Sequence, residues 1–360
     1  MSRKLILRGV LDPHVHLRGM DWSHKGTFAT ETAAALAGGY WAVLDMPNTP
    51  PATIDPVALK TKLLTLGEQA VCDWGVYFGA SQQTQTNVYP QIIEPVCGLK
   101  MYNNATTGTL LIDDQATREQ HYASWPGTKP IAVHAEGQTV ADILALVERY
   151  PKPTHFCHIS TTEEIRLLRE AKSKGLPITI GVTPHHLFLT EDDVQTLGPL
   201  GRMKPELKTG ADQQALWGAI QEGLVDVIES DHAPHTLVEK ASTMPPSGVP
   251  GLETTLPLMC TAVREGRLLV DRLIEMVTYR PQQIFNSQPA PDTYTVLDLD
   301  TSSIIERDNL HTLCGWSPFE GMRVWGKVIE VWIRGCKVFD GEQVLVQPGF
   351  GRNLFGDPES

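Results

Sequence analysis

The stretch Leu11-Asp12-Pro13-His14-Val15-His16-Leu17-Arg18 closes an apolar run near the start of the chain, and the fold is read outward from it. In an extended strand, residues two apart share a face, so His14 and His16 project together and Arg18 follows on the same side. Two imidazoles can hold one divalent metal, and a guanidinium beside them can hold a planar anion through two parallel hydrogen bonds. Such a strand end predicts chemistry on an anionic substrate. A His-x-His pair alone is also what a half-exposed strand without a function presents, so its weight depends on the rest of the chain.

Short apolar, often β-branched runs recur at residues 6–16, 41–46, 72–80, 98–102, 130–135, 154–159, 177–183 and 225–230. Helix-like segments lie between most of them, at 27–37, 139–149, 162–174 and 211–222. Strands alternating with helices indicate parallel βαβ units. Eight such strands predict an α/β chain built as a (β/α)8 TIM-type barrel, with its active site at the C-terminal ends of the strands. Polar residues gather where that rule places them. The runs end in His14 and His16, in Asp45-Met46-Pro47-Asn48, around Lys100, in His134 and Glu136, in His158, in His185-His186, and in Asp231 and His235. Core-filling histidines would scatter over the barrel; convergence on one rim indicates a site.

After about residue 290 the texture changes. Residues 293–299, 327–333 and 337–339 read as short strands broken by Asp340-Gly341 and Pro348-Gly349 turns, and 5–8 can join them in a small sheet. The expected division is a metal-dependent barrel over 10–290 and a small β-rich appendage from residues 1–9 plus 291–360.

The 360 residues, 41% of them hydrophobic, can bury a core larger than the usual single domain. A net charge of −12 argues against nucleic acid or an anionic membrane as a partner, and any anionic substrate needs local cations. No apolar run approaches the roughly 20 residues needed to cross a bilayer, and Met1-Ser2-Arg3-Lys4 leads into a strand without a signal core. The six cysteines are scattered without a Cys-x-x-Cys pair, which fits reduced thiols in the cytoplasm and argues against a disulfide framework or thiolate zinc site. Any metal should therefore sit on nitrogen and oxygen.

His14, His16, His134, His158, Asp231 and Lys100 are too many groups for one tetrahedral zinc and suit two metals. A two-metal site needs a bridge that keeps the ions roughly 3.5–4 Å apart. A protonated lysine cannot ligate a cation, but a lysine amine that has reacted with carbon dioxide is an anionic carbamate with two oxygens.

This set resembles the binuclear amidohydrolase superfamily, and within it the dihydroorotases. The matching segments are 11–18, 46–49 (MPNT), 98–102 (GLKMY), 133–136 (VHAE), 157–160 (CHIS), 183–187 (TPHHL), 230–235 (SDHAPH), 248–254 (GVPGLET) and 316–321 (WSPFEG). Within that family it resembles the dihydroorotase domain of the animal multifunctional pyrimidine-synthesis protein. The resemblance implies reversible hydrolysis of L-dihydroorotate to N-carbamoyl-L-aspartate by a metal-bridging hydroxide. It implies two zinc ions: His14, His16 and Asp231 on one, His134 and His158 on the other, and N6-carboxylated Lys100 between them. Asp231 would be the general acid/base. Arg18, Asn48 and His235 would hold the substrate carboxylate, Ser247 and Gly248 the ring edge, and Thr106 and Thr107 a loop that reaches over the substrate. A homodimer and an association with aspartate transcarbamoylase also follow from the resemblance.

Where the animal-type domain has Arg-Pro-Glu-Leu, this chain has Lys204-Pro205-Glu206-Leu207, which keeps the charge but loses the guanidinium fork. His155 has no assigned duty; His185 and His186 are read either as partners that orient ligands or as rim packing. His24, His121 and His311 are expected at the surface. The His-x-His motif stands closer to the chain start than in many free-standing bacterial relatives, which suggests a domain-like unit. Two alternatives compete: a related cyclic amidase (dihydropyrimidinase, hydantoinase or allantoinase), and an inactive scaffold homologue. Neutral-ring amidases need no carboxylate clamp, and scaffold homologues typically lack metal ligands.

Overall fold

In the computed structural model, which describes residues 3–356, β1 (Lys4–Leu7) stands apart from the eight strands that follow it. These are β2 (Leu11–Val15), β3 (Ala42–Asp45), β4 (Asp73–Gly79), β5 (Gly98–Tyr102), β6 (Ile131–His134), β7 (Thr154–Phe156), β8 (Ile178–Val182) and β9 (Val227–Ile228). They pair in sequence order and all in parallel. A bridge between Val15 and His232, with the His16 N–H donating to the His232 carbonyl at 2.7 Å, draws the last strand to the first. The result is the expected (β/α)8 barrel. β10 (Tyr294–Ile304), β11 (Arg323–Ile333) and β12 (Cys336–Phe339) form an antiparallel sheet with β1, in the order β1-β10-β11-β12. Residues 1–2 and 357–360 of the expected appendage lie outside the described residues.

The barrel strands are buried on both faces, as parallel strands covered by helices must be, which explains their apolar runs. The first run, 6–16, is two strands rather than one. Gly9 adopts φ +68° between them, and a Cβ there would stand 2.6 Å from Pro289, so the chain turns from one sheet to the other at a glycine. Pro13 has no N–H to give the ladder, and the β2–β3 register shifts between Asp12 and Val15. The Asp12 carboxylate takes up the slack, accepting from the His14 N–H at 3.1 Å and the Ser230 N–H at 3.2 Å.

Helices expected at 139–149, 162–174 and 211–222 form as Gln138–Arg149, Thr162–Ser173 and Gly210–Gln221. The second begins in a capping box, with Thr161 accepting from Glu164 and Glu164 reaching back. Pro56–Gln69, Gln115–Ser124 and Leu252–Arg264 are helices the sequence reading did not place. This is why His121, expected at the surface, is instead buried on the inner side of Gln115–Ser124. Its Nδ1 meets the Tyr89 hydroxyl at 2.6 Å and its Nε2 the Ser81 carbonyl at 3.0 Å. His24 is exposed as expected, and His311 is half-buried against Glu253.

One large core fills the barrel and the space under its helices. A smaller cluster, with Leu189, Met203, Leu258, Trp316, Phe319 and Val324, packs the upper loops against the later chain. Each fully buried Leu or Val there contributes roughly 1.5–3 kcal/mol. Among the described residues no helix is long and apolar enough to cross a membrane.

Candidate active site

His14 and His16 stand at the end of β2 with rings 5.5 Å apart, and both are buried. Their Nε2 atoms lie 3.2 and 3.3 Å from one oxygen of Asp231, which follows β9. The His16 Nδ1–H donates to Asn48 Oδ1 at 2.8 Å, which leaves its Nε2 lone pair facing that carboxylate oxygen. Two acceptors in such contact call for a cation between them. His134, at the end of β6, brings Nδ1 to 3.0 Å from His158 Nε2, while its Nε2–H donates to Glu136 at 2.9 Å. The His158 ring also lies 5.1 Å from that of His14. Burial holds His14, His16, His134 and His158 below the ordinary imidazole range, so they are neutral, the state that ligates metal. His14, His16 and Asp231 place one ligand atom each within 4.8 Å of one another, and the donor set fits divalent cations.

Lys100 lies deeper than a strand end, as the third of five residues in β5, fully buried. Its Nζ is 3.3 Å from Cys157 Sγ, and among the described residues no carboxylate pairs with it. Burial also raises Asp231 to about 7, against the opposing charge of Lys100.

Three of these positions carry left-handed backbone that only glycine adopts freely: Arg18 at φ 60°, His158 at 37° and Asp231 at 46°. The strain is held by local hydrogen bonds. The Leu17 N–H donates to Asp45 at 2.7 Å, and the His158 N–H to Glu229 at 2.5 Å. Ser230, before Asp231, donates to Asp12.

Arg18 is buried across the mouth of the barrel. Its Nε donates to the Pro234 carbonyl at 3.0 Å, Nη2 lies 3.1 Å from His235 Nε2, and Nη1 has no partner. Lys25 Nζ lies 3.3 Å from His235 Nδ1, and His235 Nε2 lies 3.1 Å from the Ser247 carbonyl as well as from Arg18 Nη2. Asn48 Nδ2 donates to the Thr107 carbonyl at 2.9 Å, and the Thr107 hydroxyl to the Ser247 carbonyl at 3.0 Å, so the 103–110 loop is drawn over the opening. Gly248 has φ +135°, and a Cβ would come 2.7 Å from the Ala233 carbonyl; no other residue fits.

One cavity is lined by His14, His16, Arg18, Asn48, Thr106, Thr107, His134, His158, Asp231, Ser247 and Gly248 from the sequence reading. Lys100 lies outside its lining, and His235 is fully buried behind Arg18. Lys204 lines the cavity and pairs with Glu206 at 2.9 Å. Of the unassigned histidines, His155 lies inside the barrel between Thr179 and Glu229, and His186 ties Thr183 to the Pro205 carbonyl. His185 packs on the His186 ring at 4.5 Å.

Sequence reasoning missed Tyr102, Ala233, Glu229 and Lys25. Tyr102 and Ala233 line the cavity. The fully buried Glu229 faces His14, His155 and the His158 amide, filling the space left by Gly181. His14, Cys157 and Glu229 form a second group with ligand atoms within 4.8 Å, so a thiol lies nearer the centre than cysteine spacing implied. The signal for Glu229 was present: an acidic residue inside an apolar strand run two positions before Asp231.

No family model matches the chain. It is 45% identical over 357 residues to the multifunctional protein CAD of Squalus acanthias, covering 98% of this chain and 16% of that protein. The chain thus spans less than a fifth of the length of that multifunctional relative. It is 33% identical over 367 residues to a dihydroorotase of Pyrococcus furiosus, covering 96% of this chain and 84% of that protein. Among solved structures it is similar to an L-hydantoinase (dihydropyrimidinase) from Arthrobacter aurescens. The TM-score is 0.92 at 25% identity, with 97% of this chain and 88% of that one covered.

Proposed function

The chain belongs to the dihydroorotase family, and on that premise we propose that it interconverts L-dihydroorotate and N-carbamoyl-L-aspartate in pyrimidine synthesis, as a cyclic amide hydrolase. The observation that carries the reading is the unpartnered Nη1 of buried Arg18, in a cavity whose other wall is His14, His16, His134, His158 and Asp231. A buried guanidinium with a free donor seeks a carboxylate, and dihydroorotate carries one on the ring to be opened.

In this reading His14, His16 and Asp231 would hold one zinc ion and His134 and His158 a second, with Lys100, as its carbamate, the anionic ligand to both. When bound, the ions supply a water nucleophile at neutral pH and polarise the carbonyl it attacks. Asp231 takes the proton released by that water and returns it to the departing amide nitrogen. Arg18, Asn48 and His235 fix the substrate carboxylate, and backbone at Ser247 and Gly248 meets the ring edge. Thr106 and Thr107 close over the ring and exclude water. The same proposal takes residues 10–290 as the catalytic barrel and 1–9 plus 291–360 as its appendage. It places the chain in the cytoplasm as a homodimer associated with aspartate transcarbamoylase.

The test is the rate of dihydroorotate hydrolysis with metal content determined on the same sample. Turnover at about two zinc per chain supports the reading. A chain that opens hydantoin or dihydrouracil faster than dihydroorotate is a neutral-ring amidase. A chain that takes up no metal and turns nothing over, even with zinc and bicarbonate supplied, is a scaffold.

A further inference from the structure

Tyr102 ends β5, two residues beyond Lys100 and so on the same side of the strand. It is 4% exposed and lines the cavity, with its ring 6.5 Å from that of His134 and 5.1 Å from Lys100 Nζ. Its hydroxyl is buried and has no hydrogen-bond partner. A buried hydroxyl without a partner costs free energy, and in a site it marks a partner yet to arrive. A phenol ordinarily ionises at about 10, so the hydroxyl is a donor at neutral pH.

We infer that the Tyr102 hydroxyl donates a hydrogen bond to the carbonyl oxygen that becomes negative when the ring amide of the substrate is attacked. This inference rests on the dihydroorotase reading. Barrel order selects that oxygen over the substrate carboxylate. Arg18, Asn48 and His235 come from the ends of β2 and β3 and the loop after β9. β5 lies two strands from β3, three from β2 and four from β9 in the eight-strand ring, next to the β6 strand that carries His134. From there Tyr102 faces the His134 wall, with the scissile amide between it and the clamp. The bond strengthens as charge moves onto the oxygen, so it lowers the barrier more than it tightens binding. The hydroxyl keeps its proton throughout.

Tyr102→Phe removes one oxygen and nothing else. Because that oxygen has no partner in the free protein, its loss leaves Tm unchanged or higher. The expected kinetics are a fall in kcat of roughly 100-fold with KM within about two-fold. Metal content and the mass increment of carboxylated Lys100 stay at wild-type values. A variant with wild-type kcat overturns the inference while the dihydroorotase reading stands. A variant that loses metal or lysine carboxylation also overturns it, by placing the hydroxyl on the lysine bridge instead of the substrate. A fully metallated wild-type chain that leaves dihydroorotate unchanged defeats the reading itself, and this inference with it.

Discussion

Lys100 is a fully buried amine whose nearest polar contact is a thiol. An ammonium held there without a counter-ion is expensive, and the proposed conversion to a carbamate between two cations would remove that expense. Lys100→Ala should therefore lower bound metal and cut turnover by at least about 1000-fold while the far-ultraviolet spectrum is kept; near-normal turnover in that variant rejects the two-metal reading. Arg18 makes the second residue-scale prediction. Arg18→Leu keeps bulk but loses every donor, so KM for dihydroorotate should rise roughly 100-fold, the loss of a charge-assisted pair, with kcat less affected. An unchanged KM would put the carboxylate elsewhere. These residues were legible because metal and anion chemistry restricts residue type. Tyr102 was not, since an aromatic at a strand end reads equally as packing. Glu229 stood in plain view but was read as part of an apolar run.

At the level of elements, the barrel strands were legible because burial on both faces leaves a continuous apolar signature. Their ends were less so. Gly9 divides what reads as one run, and Lys100 sits mid-strand. Helices Pro56–Gln69 and Gln115–Ser124 escaped notice, the second carrying His121, Tyr122 and Arg118 inward on an otherwise polar segment. Helix Leu252–Arg264 escaped too, with Pro257 inside it. That helix is clasped from outside: Glu253 accepts from the His311 N–H at 2.8 Å, the Thr312 N–H at 3.0 Å and His311 Nδ1 at 3.1 Å. The hydrogen bond to Glu253 raises His311 above its ordinary 6.5. A histidine raised by folding gives stability that is complete below the unfolded value and lost as pH climbs through the folded one. Wild-type unfolding free energy should thus fall slightly from pH 6 to pH 9, by less than about 1 kcal/mol at this partly exposed pair, and Tm with it. His311→Gln should flatten that slope, and an equally steep slope in the variant would assign it to another group.

On the scale of the whole molecule, the later chain packs on the loops above the cavity and also grips the barrel at the opposite end. Arg334, after β11, pairs with buried Asp73 at the start of β4 at 2.6 Å, and Asp73 also accepts from the Arg352 N–H at 3.0 Å. Removing one partner leaves a buried charge unmatched. Arg334→Met should cost about 3 kcal/mol in urea unfolding and leave kcat of the folded protein unchanged; a loss of kcat without a loss of stability would show that the grip reaches the site.

The barrel closes where β2 meets β9, and the site straddles that seam. His14 and His16 come from the first barrel strand, whereas Asp231 follows the last, with the His16 amide on the His232 carbonyl as the stitch. During translation the two histidines leave the ribosome some two hundred residues ahead of their carboxylate partner. Over that interval the nascent chain holds only part of the group. A cation held by all three side chains would therefore mark a barrel that has closed, and a product cut before β9 would lack the carboxylate that completes this group.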